Sequence, residues 1–344
     1  MLEIDGSQKS GSGTILRLAV ALAAILAEPL HIYNIRQKRP RPGLKPQHLE
    51  AVLTAAKLCG ATVTGAELGS KELWFTPTGI VGGDVEAKIG TAGSIPMLLI
   101  TVLPICVFAD DLVCIHISNG GTDVSHSPTI NYLRHVFFPV LRRMGLEATL
   151  TVHKYGYYPK GMGEVSVAVR STPHLAPIDL EHLGKLESLK GVSVCTFLAD
   201  RKVAERQATS AQHLLKTCEV EADIQVVNDF SNPLQRGSSL TLWAQTSTNA
   251  LVGGDAIGEL RKTSEAVGRE AAENLLQEIE AKATVDVHLA DLLIPYLALT
   301  EGRSVFLTRS LTAHLETNIW LVQKILDVTF RISKVKHLYR VEKD

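Results

Sequence analysis

The sequence predicts an α/β (α+β) protein. One large domain is built of three repeated units, each of two helices and a small β-sheet, and a smaller α/β domain is inserted before the third unit. Three observations predict it. A glycine-rich turn running straight into an apolar helix occurs twice, about eighty residues apart, a period long enough to mark a repeated supersecondary unit. After each turn the order is the same: helix, strand, loop, a second helix opened by proline, then two strands. A stretch near the far end repeats that order without the glycine turn, and what lies between follows another pattern. The large domain is therefore expected over residues 1–182 and 283–344, and the small one over 183–282.

In the first unit "SGSGT" leads into a helix over residues 15–26, followed by a strand at 31–35, a basic loop, the helix "PQHLEAVLTAAKLCG" and the strands "ATVTGAEL" and "KELWFTP". In the second, "GTAGS" leads into an apolar helix, the strand "DLVCIHIS", the loop "NGGTDVSHS", the helix "PTINYLRHVFFPVLRRMG" and the strands "EATLTVH" and "GEVSVAV". The small domain reads β-α-β-β-β-α: "LKGVSVCTFLA", "RKVAERQATSAQHLLKT", "EADIQVV", "SSLTLWAQTS", "ALVGGD" and "KTSEAVGREAAENLLQEIEA". Its loop "NDFSNPLQRG" is polar and turn-rich, and is expected to be mobile. The third unit has the helix "VDVHLADLLIPYLAL", the strand "RSVFLT", the helix "TAHLETNIWLVQKIL" and the strands "VTFRIS" and "LYRVE". In the last helix Leu315, Ile319, Val322 and Leu326 form one apolar stripe, and Ser310 or Thr312 suits its N-cap.

Composition bounds the function. The 344 residues are 45% hydrophobic but only 5% aromatic, which suits a large aliphatic core. A net charge of −1 excludes a global basic field, so any polyanion site must be local. One local patch exists: "RQKRPRPGLK", residues 36–45, has five basic residues and no acidic one. Its prolines brace it, so Arg36, Arg39 and Arg41 can be held for bidentate phosphate contacts. The five cysteines are scattered without a C-x-x-C pair and read as reduced core residues of a cytosolic protein. There is no signal-peptide pattern, and the longest apolar run is too short for a bilayer, so no membrane insertion is expected.

The candidate chemistry gathers at helix starts. The backbone N–H groups of both glycine turns can cradle phosphate, although close helix packing explains such turns equally well. His314 sits in the first turn of the last helix, beside free N–H groups that favour an anion. In the repeat register the same place is held by Gln47 and His48 in the first unit and by Pro128 and Thr129 in the second. Asp291, in "HLADLL", is a carboxylate on an otherwise apolar helix, suited to a cap, a ribose hydroxyl or a metal. No Asp/Glu/His cluster at metal-ligand spacing accompanies it.

Taken in order along the chain, "EIDGS", "ILR", "RPRPGLKPQHL", "GAELGSKEL", "GGD", "IGTAGS", "TVLP", "GGTD", "GYYPKGMGEV", "HLAD" and "LTAHLETNI" resemble the RNA 3′-terminal phosphate cyclases over nearly the whole chain. The resemblance implies a three-unit domain carrying an inserted thioredoxin-like domain. It implies ATP-dependent conversion of an RNA 3′-phosphate to a 2′,3′-cyclic phosphate, helped by Mg²⁺ or Mn²⁺. It implies that the histidine of an H-x-x-T-N segment, here His314, becomes covalently adenylylated. By the same carry-over, ATP would be bound by His288, Leu289, Ala290, Asp291, Leu292 and Arg17, with Pro128 and Tyr132 flanking adenine. Arg36, Arg39, Arg41, Gln47 and His48 would hold triphosphate or RNA phosphate, and Asp291 is the one candidate near a metal. The oligomeric state stays open, a homodimer included.

The chain departs from the pattern of the family it resembles. "SGSGT" stands where "EGGGQ" is usual, so Ser10 replaces an acidic residue and Thr14 a glutamine. Ile100 replaces a glutamine, His288 and Leu292 replace the usual tyrosine and glutamine around "LAD", and Met162 replaces a glycine. These changes are expected to weaken or redirect nucleotide and metal binding. They also support the runner-up reading, a cyclase-like protein that binds RNA or ribosome-assembly partners with little or no catalysis, against which His314 argues. An enolpyruvyl-transferase-like enzyme would share only the repeat architecture, and fold does not fix function.

Overall fold

The computed structural model describes residues 1–172, 174–218 and 220–344. Each unit opens with a strand that the sequence pattern does not announce. In the first unit β1 (Leu2–Asp5) lies parallel to β2 (Leu30–Tyr33), and β4 (Leu73–Thr76) and β3 (Thr62–Thr64) complete a sheet of order β1-β2-β4-β3. In the second, β5 (Gly83–Lys88) lies parallel to β6 (Val113–Gly120), followed by β8 (Gly163–Arg170) and β7 (Glu147–Lys154). In the third, the two-residue β9 (Asp179–Leu180) lies parallel to β14 (Ser304–Thr308), followed by β16 (Leu338–Lys343) and β15 (Phe330–Val335). The repeat is thus strand, helix, strand, helix, strand, strand, with one topology used three times.

The helices follow the same rule. The first helices of the units are α1 (Gly13–Leu26), α3 (Ile95–Cys106) and α8 (Val287–Ala298). The second helices are α2 (Pro46–Cys59), a helix over 130–143, and α9 (Ala313–Ile325). The 130–143 helix is made of α4 (Ile130–Tyr132), a π turn (Leu133–Phe137) and α5 (Phe138–Arg143). α1 is apolar nearly all round, and residues such as Ile15, Val20 and Leu22 are inaccessible to solvent. A helix of that kind belongs inside, and one apolar cluster runs from Ile4 through α1, α3 and α8 to Val341. The helix starts are well capped: Ser12, Ser94, Thr129 and Thr312 each accept a bond from an N–H of the first turn.

Between β9 and α8 the chain runs β10 (Leu186–Thr196), α6 (Val203–Leu215), β11 (Ala222–Asp229), β12 (Gly237–Thr246), β13 (Leu251–Ile257) and α7 (Ser264–Ala281). Its sheet, in order β11-β10-β12-β13, and a separate apolar cluster including Leu189, Leu242 and Leu275 are its own. We therefore read residues 183–282 as an insertion between the first strand and the first helix of the third unit. The loop after β11 is pinned: buried Asn232 donates to the carbonyls of Tyr155 and Gly161, and Gln235 accepts from the N–H of Lys160. Those anchors oppose the mobility expected of it.

All five cysteines are free; Cys59, Cys106 and Cys195 are buried. Among the described residues no helix is long and apolar enough to cross a membrane.

Candidate active site

The N-terminal turns of α1, α8 and α9 meet at one end of a cavity of about 750 Å³. Thr14 and Arg17 reach it from α1, His288, Asp291 and Leu292 from α8, and His314 and Asn318 from α9. Its apolar lining includes Met97, Ile100 and Pro104 of α3 with Leu292 and Pro295 of α8. Also lining it are Pro128 and, from the inserted segment, Asp255, Glu259, Lys262, Glu270 and Asn274. The inserted residues could not be found from sequence, because no pattern links β13 and α7 to helices of other units.

His314 is half-buried, and its Nδ1 lies 3.0 Å from Thr14 Oγ1. Arg17 Nη2 donates to the same hydroxyl at 3.2 Å. Thr14 has two lone pairs, so it can accept from both Arg17 and an Nδ1–H of His314. That tautomer leaves Nε2 as a bare lone pair. Burial, then Arg17, Arg39 and His288, hold the imidazole below the ordinary histidine range, so the ring is neutral at pH 7. Thr14 lies 300 residues from His314 in the chain.

Positive charge collects beside this ring. Burial, Arg36 and Arg39 push Arg17 down to about 10, still fully protonated at neutral pH. Arg36 is lowered by burial and by Arg39. Arg36 Nη1 also braces its own loop, donating to the carbonyls of Arg41 and Gly43 at 2.8 and 2.9 Å. The exposed side chain of Arg41 is not part of that brace. Three guanidinium groups that raise one another's energy fit an anion that would relieve the repulsion.

Two expected phosphate ligands, His48 and Gln47, have neighbours within the protein. His48 is only 4% exposed, and a Cβ on Gly13 would sit 2.2 Å from its Nε2. Glycine at 13 is therefore required for α1 to approach α2, and His48 lies beneath the cation cluster rather than on a surface open to RNA. Burial, then Arg17, Arg36 and Lys45, hold it well below the ordinary histidine range. Gln47 Oε1 accepts from the Ser94 N–H at 2.8 Å, joining α2 to the second glycine turn.

Three expected ATP contacts are core residues. Leu289 and Ala290 are inaccessible, on the face of α8 that packs inward. Tyr132 is also inaccessible, and its hydroxyl donates to Asp286 Oδ1 at 2.7 Å. It supports the site from behind instead of flanking a base. Asp286 caps α8 and also accepts from the Gly253 N–H. The exposed His288 lines the pocket, as does Pro128.

Asp291 lies on the pocket wall, and its Oδ1 accepts from Thr312 Oγ1 at 2.5 Å. Burial raises its carboxyl to about 7. Asn318, one turn beyond His314, donates to the Asp291 carbonyl at 2.7 Å, which fixes its amide and leaves Oδ1 without a partner. Among the described residues no three His, Cys, Asp or Glu side chains stand together as a metal cage. Asp255, Glu259, Glu270 and Asp291 all line the pocket without forming such a cage.

Comparison with known proteins agrees with this architecture. Residues 8–332 match the family described as RNA 3′-terminal phosphate cyclase. Similar chains include the RNA 3′-terminal phosphate cyclases of Methanosarcina mazei, 42% identical with 99% of each chain covered, and Pyrococcus furiosus, 43% identical over 96% of this chain and 95% of that one. That of Methanopyrus kandleri is 41% identical, with 96% and 95% covered. A match over nearly the whole length, at such identity, shows that this chain belongs to the RNA 3′-terminal phosphate cyclase family.

Proposed function

We propose that the protein cyclises RNA 3′-terminal phosphates with ATP, through a covalent adenylate on His314. The observation that carries the reading is a neutral imidazole, held by Thr14, between a cluster of three arginines and a cavity of nucleotide size. Nε2 of His314 attacks the α-phosphorus of ATP, a P–N bond forms and pyrophosphate leaves. An oxygen of the RNA 3′-phosphate then displaces the histidine, giving RNA(3′)pp(5′)A. The neighbouring 2′-hydroxyl attacks the 3′-phosphorus and AMP departs, an intramolecular step that gains chiefly from positioning.

Covalent catalysis here divides one substitution into easier ones. Arg17, Arg36 and Arg39 would carry the charge that develops on phosphate oxygens. Asn318 Oδ1 and Asp291 suit the ribose hydroxyls. Mg²⁺ or Mn²⁺ would arrive on the phosphates of the nucleotide, since Mg²⁺ commonly binds through substrate phosphates, and no step is assigned to it.

The apolar wall at Ile100 and Leu292 offers few hydrogen-bond donors, so the base would be read mainly from the inserted segment. A non-catalytic role has only the replaced polar residues behind it, and His314 with its orienting Thr14 speaks for turnover. The test is incubation with α-³²P-ATP and a divalent ion, followed by a denaturing gel. The expected result is an acid-labile, base-stable label that His314→Ala abolishes, and an RNA 3′-phosphate that becomes phosphatase-resistant. Label surviving in His314→Ala would move the nucleophile elsewhere, and absence of label would favour the binding-only role.

A further inference from the structure

Two loops, one from the second unit and one from the inserted segment, lie side by side. Both expose aromatic rings. Tyr158 is 77% exposed and Phe230 62%, the latter edge-to-face on Phe197 with ring centroids 5.5 Å apart. The loops are locked together by the Gln235 and Asn232 bonds to Lys160, Tyr155 and Gly161. Lys160 and Arg236 are exposed on them. The nearby Asp229 carboxylate is held by bonds from Thr196 and Ser231 and makes no ion pair with Lys160 or Arg236 among the described residues.

A series of neighbours connects this ridge to the basic cluster. A Cβ on Gly161 would sit 2.7 Å from the Thr91 carbonyl, so the Tyr158 loop rests on the second glycine turn. That turn is joined by Ser94 to Gln47, the neighbour of His48, which packs against Gly13 and lies close to Arg17.

We propose that Tyr158 and Phe230, with Lys160 and Arg236, form a stacking platform for the RNA strand leading up to the 3′-phosphate, a role that deepens the cyclase reading above and rests on it. Rings interleaved with cations are the combination that holds single strands without regard to sequence. A protein partner would instead need a larger continuous apolar area than Tyr158, Phe230 and the 58% exposed Leu234 offer beside Lys160 and Arg236.

The test is fluorescence anisotropy with a fluorescein-labelled RNA dodecamer ending in a 3′-phosphate, beside a labelled dinucleotide with the same end. In the Tyr158→Ala/Phe230→Ala variant the dodecamer should bind about tenfold more weakly or worse, the range for losing base–aromatic stacking, while the dinucleotide binds as before. Tyr158→Trp should keep dodecamer affinity. Lys160→Gln/Arg236→Gln should flatten the salt dependence of dodecamer binding by about 0.7 in log–log slope for each phosphate no longer neutralised. Unchanged dodecamer affinity overturns the platform, as does equal weakening of both RNAs. Unchanged RNA binding together with loss of a bound protein would likewise overturn it in favour of a protein-docking face. Binding is read without turnover, so a wild-type protein that never becomes adenylylated still reports on the ridge.

Discussion

Thr14 fixes the His314 ring through Nδ1, and when its hydroxyl accepts from an Nδ1–H it leaves Nε2 free, as a carboxylate or carbonyl does in many histidine sites. Thr14→Val keeps the shape and removes the acceptor. The expected loss of adenylylation rate is about 10- to 100-fold, typical of removing a group that orients a reactive imidazole, with Thr14→Ser largely restoring it. Single-turnover label incorporation measures both. The pH dependence follows from the same geometry. The folded-state value of His314 is lowered by burial and by cations, so protonation, which silences the nucleophile, sets in only below the ordinary histidine range. The acid limb of the adenylylation rate should therefore lie below about 6.5 and move upward in Arg17→Met, where one repelling charge is gone. A limb at or above that value in the wild type would contradict a buried neutral ring. At this scale the resemblance carried by "LTAHLETNI" singled out His314 for the proposed adenylate, and its place in the first turn of a capped amphipathic helix suited an anion without assigning that role. It could not reveal Thr14, whose partnership exists only after α1 and α9 pack.

Helices were more legible than strands. Pro46 marked one helix start by its preset φ, and of Ser310 and Thr312, the two hydroxyls suited to cap the last helix, the structure uses Thr312. The opening strands β1, β5 and β9 carried too little signal: "LEID" and "GDVEAK" are short and half polar, and "DL" has no pattern. They exist because a parallel neighbour and an overlying helix complete them. The close approach of α1 to α2 was equally hidden, since two glycine turns of similar spelling do different work. Gly13→Ala would push a methyl into the imidazole of His48. Overpacking of this kind costs about 1–3 kcal/mol, readable as a lower urea midpoint, and should displace Arg17 enough to slow adenylylation. His48 adds a pH signature. Its folded value is depressed, so below about 6.5 the unfolded chain takes up a proton that the folded chain refuses. Stability should fall as pH drops through that range, and less steeply in His48→Gln if the amide fits the site.

Across the whole molecule, the inserted segment is part of the pocket, and Asp286 ties it to both the second and the third unit. Asp286, only 1% exposed, caps α8 of the third unit through the His288 and Leu289 N–H groups, accepts from Tyr132 of the second unit and accepts from the Gly253 N–H of β13. Two further bonds hold the same seam: Thr129 N–H to Asp255 Oδ2 at 2.7 Å, and Ser125 Oγ to Glu259 Oε1 at 2.7 Å. The composition of residues 183–282 could announce a separate sheet, but not that its edge strand would close a cavity formed by the other units. If that seam shapes the base end of the pocket, loosening it should harm nucleotide binding more than chemistry. Asp286→Ala strands three buried donors and uncaps α8. Hydrogen bonds to a charged acceptor contribute about 1.5–3 kcal/mol each, so a loss of about 3 kcal/mol or more is expected in urea unfolding. Asp255→Asn is the milder companion, since its amide oxygen still accepts from Thr129. It should fold with near-normal stability, raise the KM for ATP in adenylylation and leave kcat little changed, as expected when ground-state and transition-state binding are lost together. Nucleotide that binds only the folded state raises stability by RT ln(1 + [L]/Kd), about 2.7 kcal/mol at a hundredfold excess over Kd. The upward shift in Tm given by ATP should therefore shrink in Asp255→Asn at a fixed nucleotide concentration. An undiminished shift would mean that the inserted segment covers the pocket without gripping its occupant.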